Sequence, residues 1–252
     1  MLKLSVVIIT YNEEKNIARC LDSVLSIADE IVVVDSYSKD DTKNICKSYG
    51  VRFLENSFIG HIEQKNFAMH QARFDWILSL DADESIDMVL KESIIQFKLN
   101  PTADLYQINR VNNYCGKWIY HSGWYPDRKI RLWSKAVGDW QGENPHDKFL
   151  PYSTKSIVGK LKGNILHYSY TSIEQHDRQI DFFSDISSKA LFEKKIKHSF
   201  LMKFASAAYK FFYCYILRLG FLDGRVGWVI ATKSALANYK KYSKLEKLWD
   251  AQ

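Results

Sequence analysis

Short, continuous apolar runs alternate with amphipathic stretches through the first hundred residues. Leu4 to Ile9 is β-branched and unbroken, the pattern of a strand covered on both faces. It runs into Thr10-Tyr11-Asn12-Glu13-Glu14. There Asn12 reads as a helix N-cap, and Ile17, Leu21, Val24 and Leu25 keep helical spacing. Glu30 to Asp35 is a second buried strand. Ser38 to Thr42 opens a helix that reaches about Tyr49, Gly50 ends it, and Val51 to Leu54 is a third strand. Ile62 to Arg73 reads as a helix carrying Gln64, Lys65 and Asn66, followed by a fourth strand from Asp75 to Leu80. This alternation predicts the α/β class, a mostly parallel sheet with helices on both faces. Ligands of such sheets bind beyond the carboxyl ends of the strands, where Thr10, Asp35 and Asp81 lie.

The pattern changes from about Asp104. Tyr106 to Val111 alternates like a half-exposed strand. Gly116 to Trp124 is an aromatic loop, whose faces suit either a sugar or a small packed core. Lys129 to Trp133 reads as a strand with cations along one side. Arg128 or Arg131 there is available for a phosphate or for an ordinary salt bridge. An apolar strand precedes His167. From Ser172 onward the chain reads as helical, with mixed charge over 172–198. Phe200 to Ile216 is aromatic-rich, but Lys203 and Lys210 interrupt it, so it falls short of a membrane span and reads as an interfacial helix. Gly220 to Arg225 is a turn, and Val226 to Ala237 is a second apolar helix with a Lys-rich tail.

Composition adds two constraints. The 252 residues suffice for one large α/β domain or a domain with an appendage. Four scattered cysteines without a C-x-x-C pair indicate neither a zinc site nor a disulfide framework. The apolar run after Met1-Leu2-Lys3 is too short for a signal peptide, so a reducing, cytoplasmic setting is expected. The net charge of +6 is uneven, with thirteen Lys/Arg against four Asp/Glu from Lys189 onward. A basic tail on a slightly acidic body suggests an anionic surface as partner, membrane or nucleic acid, with a solvated basic helix as the alternative.

The chemistry concentrates at Leu80-Asp81-Ala82-Asp83-Glu84. Two carboxylates two residues apart at a strand end point to the same side and repel unless a cation lies between them. Oxygen ligands of this kind suit Mg²⁺ or Mn²⁺, which suit phosphate oxygens in turn. A solvated acidic turn is the plainer reading of the same residues. No G-x-G-x-x-G follows the first strand and no G-x-x-x-x-G-K-[ST] occurs, which excludes ordinary dinucleotide and P-loop sites.

Four ordered pieces, SVVIITYNEEKNIARCLDSV, EIVVVDSYSKDDT, QKNFA and LSLDADE, resemble the inverting family 2 glycosyltransferases. The later pieces WYPDRKIRLW, GENPHDKF and ILHYSYTS resemble the bacterial subgroup that glucosylates the lipopolysaccharide inner core. The resemblance implies a GT-A fold over 1–171, with a nucleotide-sugar half at 1–100 and an acceptor half at 101–171. Residues 172–252 then form a helical region for membrane association or dimerisation. It implies that Thr10, Tyr11, Glu13, Asp35, Gln64, Lys65, Asp81 and Arg131 bind a UDP-sugar, glucose being the preferred sugar. It implies that Asp83, Asp81 and His167 hold Mg²⁺ or Mn²⁺. Asp147 matches the family's base, in a loop beside the donor sugar, with Glu143 its nearest competitor. The subgroup has His-Glu where this chain has His146-Asp147, one methylene shorter. The acceptor is expected to be a lipid-linked glycan at the cytoplasmic face of the inner membrane, approached through the basic C-terminal helices. No nucleic acid is expected, and a homodimer is the alternative use of those helices. Another polysaccharide or a protein is the alternative acceptor. A haloacid-dehalogenase-type phosphatase and a non-catalytic membrane-binding module are the more distant readings.

Overall fold

The computed structural model describes residues 1–143, 146–197 and 200–251. The chain divides into two compact units, one of residues 1–110 with 127–167 and the other of residues 111–126 with 168–252.

In the first unit, β1 (Leu4–Thr10), α1 (Ile17–Val24), β2 (Glu30–Asp35), α2 (Thr42–Ser48), β3 (Arg52–Glu55), α3 (His61–Gln71) and β4 (Trp76–Asp81) follow the expected alternation. The chain continues through β5 (Glu84–Ile86), α4 (Met88–Leu99), β6 (Leu105–Tyr114), β7 (Lys117–Ile119), β8 (Asp127–Ser134), β9 (Gly138–Glu143), β10 (His146–Pro151) and β11 (Val158–Tyr170), of which β7 and the last residues of β6 and β11 belong to the second unit. Among the described residues the main sheet runs β3-β2-β1-β4-β8-β6-β11-β5, and β9 with β10 forms a separate antiparallel ribbon. β3, β2, β1 and β4 are parallel, with Thr10 in register with Asp35 and Ile9 with Asp81, so three strands end together at one edge.

Alternation along the strands builds two cores. Leu4, Val6, Ile8, Leu78 and Leu80 face α1, α2 and α4, while Val7, Val32, Ile77 and Trp133 face α3 and the ribbon residues Trp140 and Phe149. The strands are apolar on consecutive positions because both faces are covered. Asp87 caps α4, its carboxylate accepting from the Leu90 N–H at 2.7 Å. Gly163 has φ +90°, and a Cβ there would stand 2.2 Å from the Leu90 nitrogen, so the close approach of β11 to α4 requires glycine.

Three local expectations are corrected. Asn12 does not cap α1, which begins at Ile17 after Asn16. Asn12 sits at φ +54° and ties two loops together, its N–H donating to Ser38 Oγ and its Oδ1 accepting from the Lys39 N–H. Asp147 stands on strand β10 rather than in a loop. The Gly116–Trp124 stretch contains β7, paired with β6.

The second unit is mainly helical: α5 (Ile173–Glu193), α6 (Phe200–Phe212), a π-turn (Tyr213–Leu217), a 3₁₀ turn (Gly220–Asp223) and α7 (Gly224–Asp250). Ser172 caps α5 by accepting from the Gln175 N–H. The last helix runs far past the Ala237 expected from apolar spacing, because ion pairs from Lys233, Lys240 and Lys244 to Asp177, Asp181 and Asp185 bind its polar half to α5. Among the described residues no helix is long and apolar enough to cross a membrane.

Candidate active site

The carboxyl end of β4 leads into a cleft of about 540 Å³ lined by Lys65, Asp81, Arg110, Arg131, Trp140 and Asp147, among others. A chain of alternating charge runs through it. Lys65 comes from the inner face of α3 and is buried; its Nζ lies 2.8 Å from Asp147 Oδ2 and 3.2 Å from Asp81 Oδ1. The Trp140 ring covers the same ammonium at 4.6 Å. Arg131 is also buried, its Nη2 3.1 Å from Asp81 Oδ2 and 2.8 Å from Glu84 Oε1. Glu84 in turn takes Arg110 Nη1 at 3.2 Å and accepts the Asp81 N–H at 2.9 Å. Arg110 continues to Asp127 at 2.7 Å.

These contacts set the charge states. Burial alone would raise the Asp81 pKa, but the neighbouring charges of Lys65, Arg131 and Arg110 hold its carboxyl well below the usual range. Burial opposes the charge on Arg131, and Glu84 and Asp81 more than restore it. Glu13 is shifted the other way, chiefly by burial and then by the charges of Asp83, Asp40 and Asp81.

Asp83, two residues on, points to a different partner: its Oδ2 lies 3.1 Å from His167 Nε2 on β11. Asp81 Oδ1 is buried without a hydrogen-bond donor, since the Lys65 approach is an ion pair rather than an aligned hydrogen bond. The donor types present, an unpartnered carboxylate oxygen on Asp81 and the Asp83–His167 pair, fit a divalent cation. Among the described residues no three His, Cys, Asp or Glu side chains converge to hold a metal by themselves.

The other expected residues lie at the strand ends nearby. Thr10 is buried with its Oγ1 unpartnered, and Tyr11 is exposed. Asp35 is buried and holds its own turn, one oxygen accepting the Ser38 N–H at 2.7 Å and the other the Ser38 hydroxyl. Gln64 spends its amide on Ser36 Oγ at 3.1 Å and on Asn56. The structure therefore joins Lys65, Asp81, Arg131 and Asp147 in one array and Asp83 with His167 in another. Thr10, Asp35 and Gln64 border the ends of β1 and β2. The Glu143 side chain lies outside the described residues.

Sequence reasoning missed Arg110 and the central place of Glu84. The available signal was an Arg in each of two alternating strands, facing a third carboxylate after the Asp-x-Asp pair. Asn66 is a further supporting residue: its side chain accepts the Trp140 N–H and donates to the Trp140 carbonyl, both at 2.9 Å, pinning the ribbon that carries Asp147 to α3.

The family model for glycosyl transferase family 2 matches residues 5–196. An uncharacterised glycosyltransferase of Rickettsia typhi is 32% identical over 98% of this chain and 88% of its own length. The lipopolysaccharide core biosynthesis glycosyltransferase LpsC of Rhizobium meliloti is 26% identical over 96% of this chain and 94% of its own. Among solved structures, S. aureus TarS 1–349 aligns over 99% of this chain and 92% of its own, with a TM-score of 0.48 and 16% identity. The family match and the Rickettsia typhi relative displace the phosphatase and the non-catalytic module as readings of the chain. With an α/β sheet of the GT-A type whose strands β3, β2, β1 and β4 run parallel, and with carboxylates gathered at their ends, the chain belongs to glycosyl transferase family 2.

Proposed function

We propose that this glycosyltransferase is a metal-dependent, inverting enzyme that moves a hexose from a UDP-sugar to a lipid-linked glycan, the heptose region of the lipopolysaccharide inner core. The observation that carries the reading is the array in which one buried ammonium, Lys65, joins Asp147 to Asp81 inside the cleft. Glucose as the sugar rests on the likeness of the later sequence pieces to core glucosyltransferases. The similarity to LpsC supports the acceptor class.

Asp147 acts as the base. Lys65 grips its Oδ2 at 2.8 Å, and Oδ1 is the oxygen offered to an acceptor hydroxyl. As the hydroxyl oxygen attacks the anomeric carbon, its proton passes to Asp147, and the bond to the diphosphate breaks on the opposite side. Lys65, Arg131 and Arg110 form a pre-set cationic wall whose field favours negative charge growing on the departing diphosphate. Asp83, Asp81 and His167 would hold Mg²⁺ or Mn²⁺, which when bound supplies further neutralisation of that charge. Thr10, Tyr11, Glu13, Asp35 and Gln64, at the ends of β1 and β2 and on α3, receive the nucleoside. The basic C-terminal helices place the enzyme at the cytoplasmic face of the inner membrane.

The test is calorimetric titration of UDP with and without Mn²⁺, using wild type, Asp83→Asn and Asp147→Asn. Metal-dependent binding that is lost in Asp83→Asn and kept in Asp147→Asn supports the assignment. Wild type that ignores UDP under every metal condition, yet binds GDP or CMP, refutes the donor. Failure with all three refutes the site.

A further inference from the structure

Several cations of the second unit are already neutralised by its own carboxylates. Lys203 pairs with Glu246, Lys233 with Asp177, Lys240 with Asp181 and Lys244 with Asp185, so much of the Lys-rich end of α7 is bound to internal carboxylates. Lys210, Arg218 and Arg225 meet no carboxylate among the described residues, and neither do Lys241 and Lys247 of the tail, so position rather than pairing separates the two groups. Lys210 and Arg218 lie over the Tyr213 ring at 5.5 and 5.0 Å, and Arg218 donates to the Tyr213 hydroxyl at 2.7 Å.

Lys210, Arg218 and Arg225, unlike the tail lysines, fall in a stretch rich in exposed apolar side chains. Where α6 passes through the π-turn and the 3₁₀ turn into α7, Phe212, Ile216, Leu217, Phe221, Leu222 and Trp228 are each 41–56% exposed. Upstream on α6, Leu201, Ala205, Ala208 and Phe212 continue the same face at helical spacing, all of them exposed. A contiguous apolar surface of this kind marks an interaction site.

We propose that this elbow, residues 212–228, rather than the Lys-rich end of α7, is the surface that inserts into an anionic lipid bilayer. The inference rests on the membrane-associated reading above and assigns it to particular residues. Charge decides between a bilayer and a second copy of the chain. Between residues 201 and 245 the only carboxylate is Asp223. It is buried and already accepts the N–H groups of Tyr120 and His121 and meets the His121 ring at 3.0 Å. Two elbows pressed together would set Lys210, Arg218 and Arg225 against their own copies with nothing to neutralise them. Anionic headgroups provide the missing counter-charge, and the acyl boundary takes Phe221, Leu222 and Trp228.

The test is flotation of the full-length protein with vesicles of phosphatidylcholine, with and without phosphatidylglycerol. Wild type is expected to float with the anionic vesicles. Phe221→Glu with Leu222→Glu should cut the bound fraction about tenfold or more. Arg218→Gln and Arg225→Gln should each weaken binding roughly fivefold, and only to anionic vesicles. Lys241→Gln with Lys247→Gln should leave flotation unchanged. Circular dichroism melts establish that each variant is folded, and if the Glu pair melts early the Arg variants decide. If the tail variant loses binding while the elbow variants keep it, the assignment to the elbow is overturned and membrane attachment stands. If wild type floats with neither vesicle, attachment itself is overturned. Light scattering that shows a dimer broken by the elbow variants gives the surface to a second copy instead.

Discussion

Substituting Glu84→Gln removes the one negative charge shared by two arginines at the base of the cleft. Glu84 is fully buried, and its carboxylate takes Arg131 at 2.8 Å, Arg110 at 3.2 Å and the Asp81 N–H at 2.9 Å. Removing one member of a buried ion pair costs about 3–5 kcal/mol, because the partner charge stays buried and uncompensated. Here both arginines keep a second carboxylate, Arg131 with Asp81 at 3.1 Å and Arg110 with Asp127 at 2.7 Å. The low end, about 3 kcal/mol, is therefore expected, or a fall in Tm of roughly 6–12 °C for a chain of this size. Arg131→Met should cost a similar amount for the mirror-image reason. The double variant should cost less than the two singles together by about 1 kcal/mol or more, since it leaves no orphaned charge between them. Thermal and urea unfolding followed by circular dichroism measure all three. A Glu84→Gln protein melting within about 1 °C of wild type would refute the claim that this carboxylate organises the arginines, as would strict additivity in the cycle.

Asp147→Asn should lower kcat by roughly 10²–10⁴-fold while leaving UDP affinity near wild type, read from single-turnover transfer alongside calorimetry. The second unit should lose stability on the acid side through His176. Burial lowers its pKa from the ordinary 6.5 to about 4 while Tyr114 holds its Nδ1 at 3.0 Å. Between those values the unfolded chain binds a proton that the folded chain refuses. Stability therefore falls as pH drops from about 6.5 to about 4, by on the order of 2 kcal/mol. His176→Phe should flatten that part of a Tm-versus-pH curve, and an unchanged slope would remove the group from the account. Gly163→Ala should destabilise by more than about 3 kcal/mol, since it combines a positive φ with a clash against α4 backbone; a soluble variant with wild-type Tm would contradict the packing described.

The sheet could be read from the sequence because its strands are buried on both faces. Leu4 to Ile9, Glu30 to Asp35 and Trp76 to Leu80 have no polar alternation to mislead, and β1, β2 and β4 stand there. Local chemistry misled where a side chain served a distant partner. Asn12 has the residue type and the acidic neighbours of an N-cap, but its hydrogen bonds go to Ser38 and Lys39 in the next loop. Lys65 looks like any helical lysine, and its burial follows from Asp81 and from Asp147, which is 82 residues away in sequence. Arg110 and Arg131 were visible as charges on alternating strands. That both turn inward depends on Glu84, and the pairing of β6 with β8 that brings them there leaves no short-range mark. α4 went unassigned because its apolar positions do not keep to one side, and the cap at Asp87 is its clearest signal.

One ammonium serving two carboxylates also has a thermodynamic meaning. Any charge that enters beside Asp81 competes with Asp147 for Lys65, so occupancy at one end of the array and proton affinity at the other are linked. The linkage is reciprocal: whatever donor binding does to the basicity of Asp147, protonation of Asp147 does in equal measure to donor affinity. In the proposed reaction, a phosphate-rich donor that drew the ammonium toward itself would leave Asp147 the stronger base. Without such a charge, Asp147 keeps its contact with Lys65 and is the weaker base. The same contact that steadies the protein thus ties the proton affinity of Asp147 to whatever occupies the other end of the array.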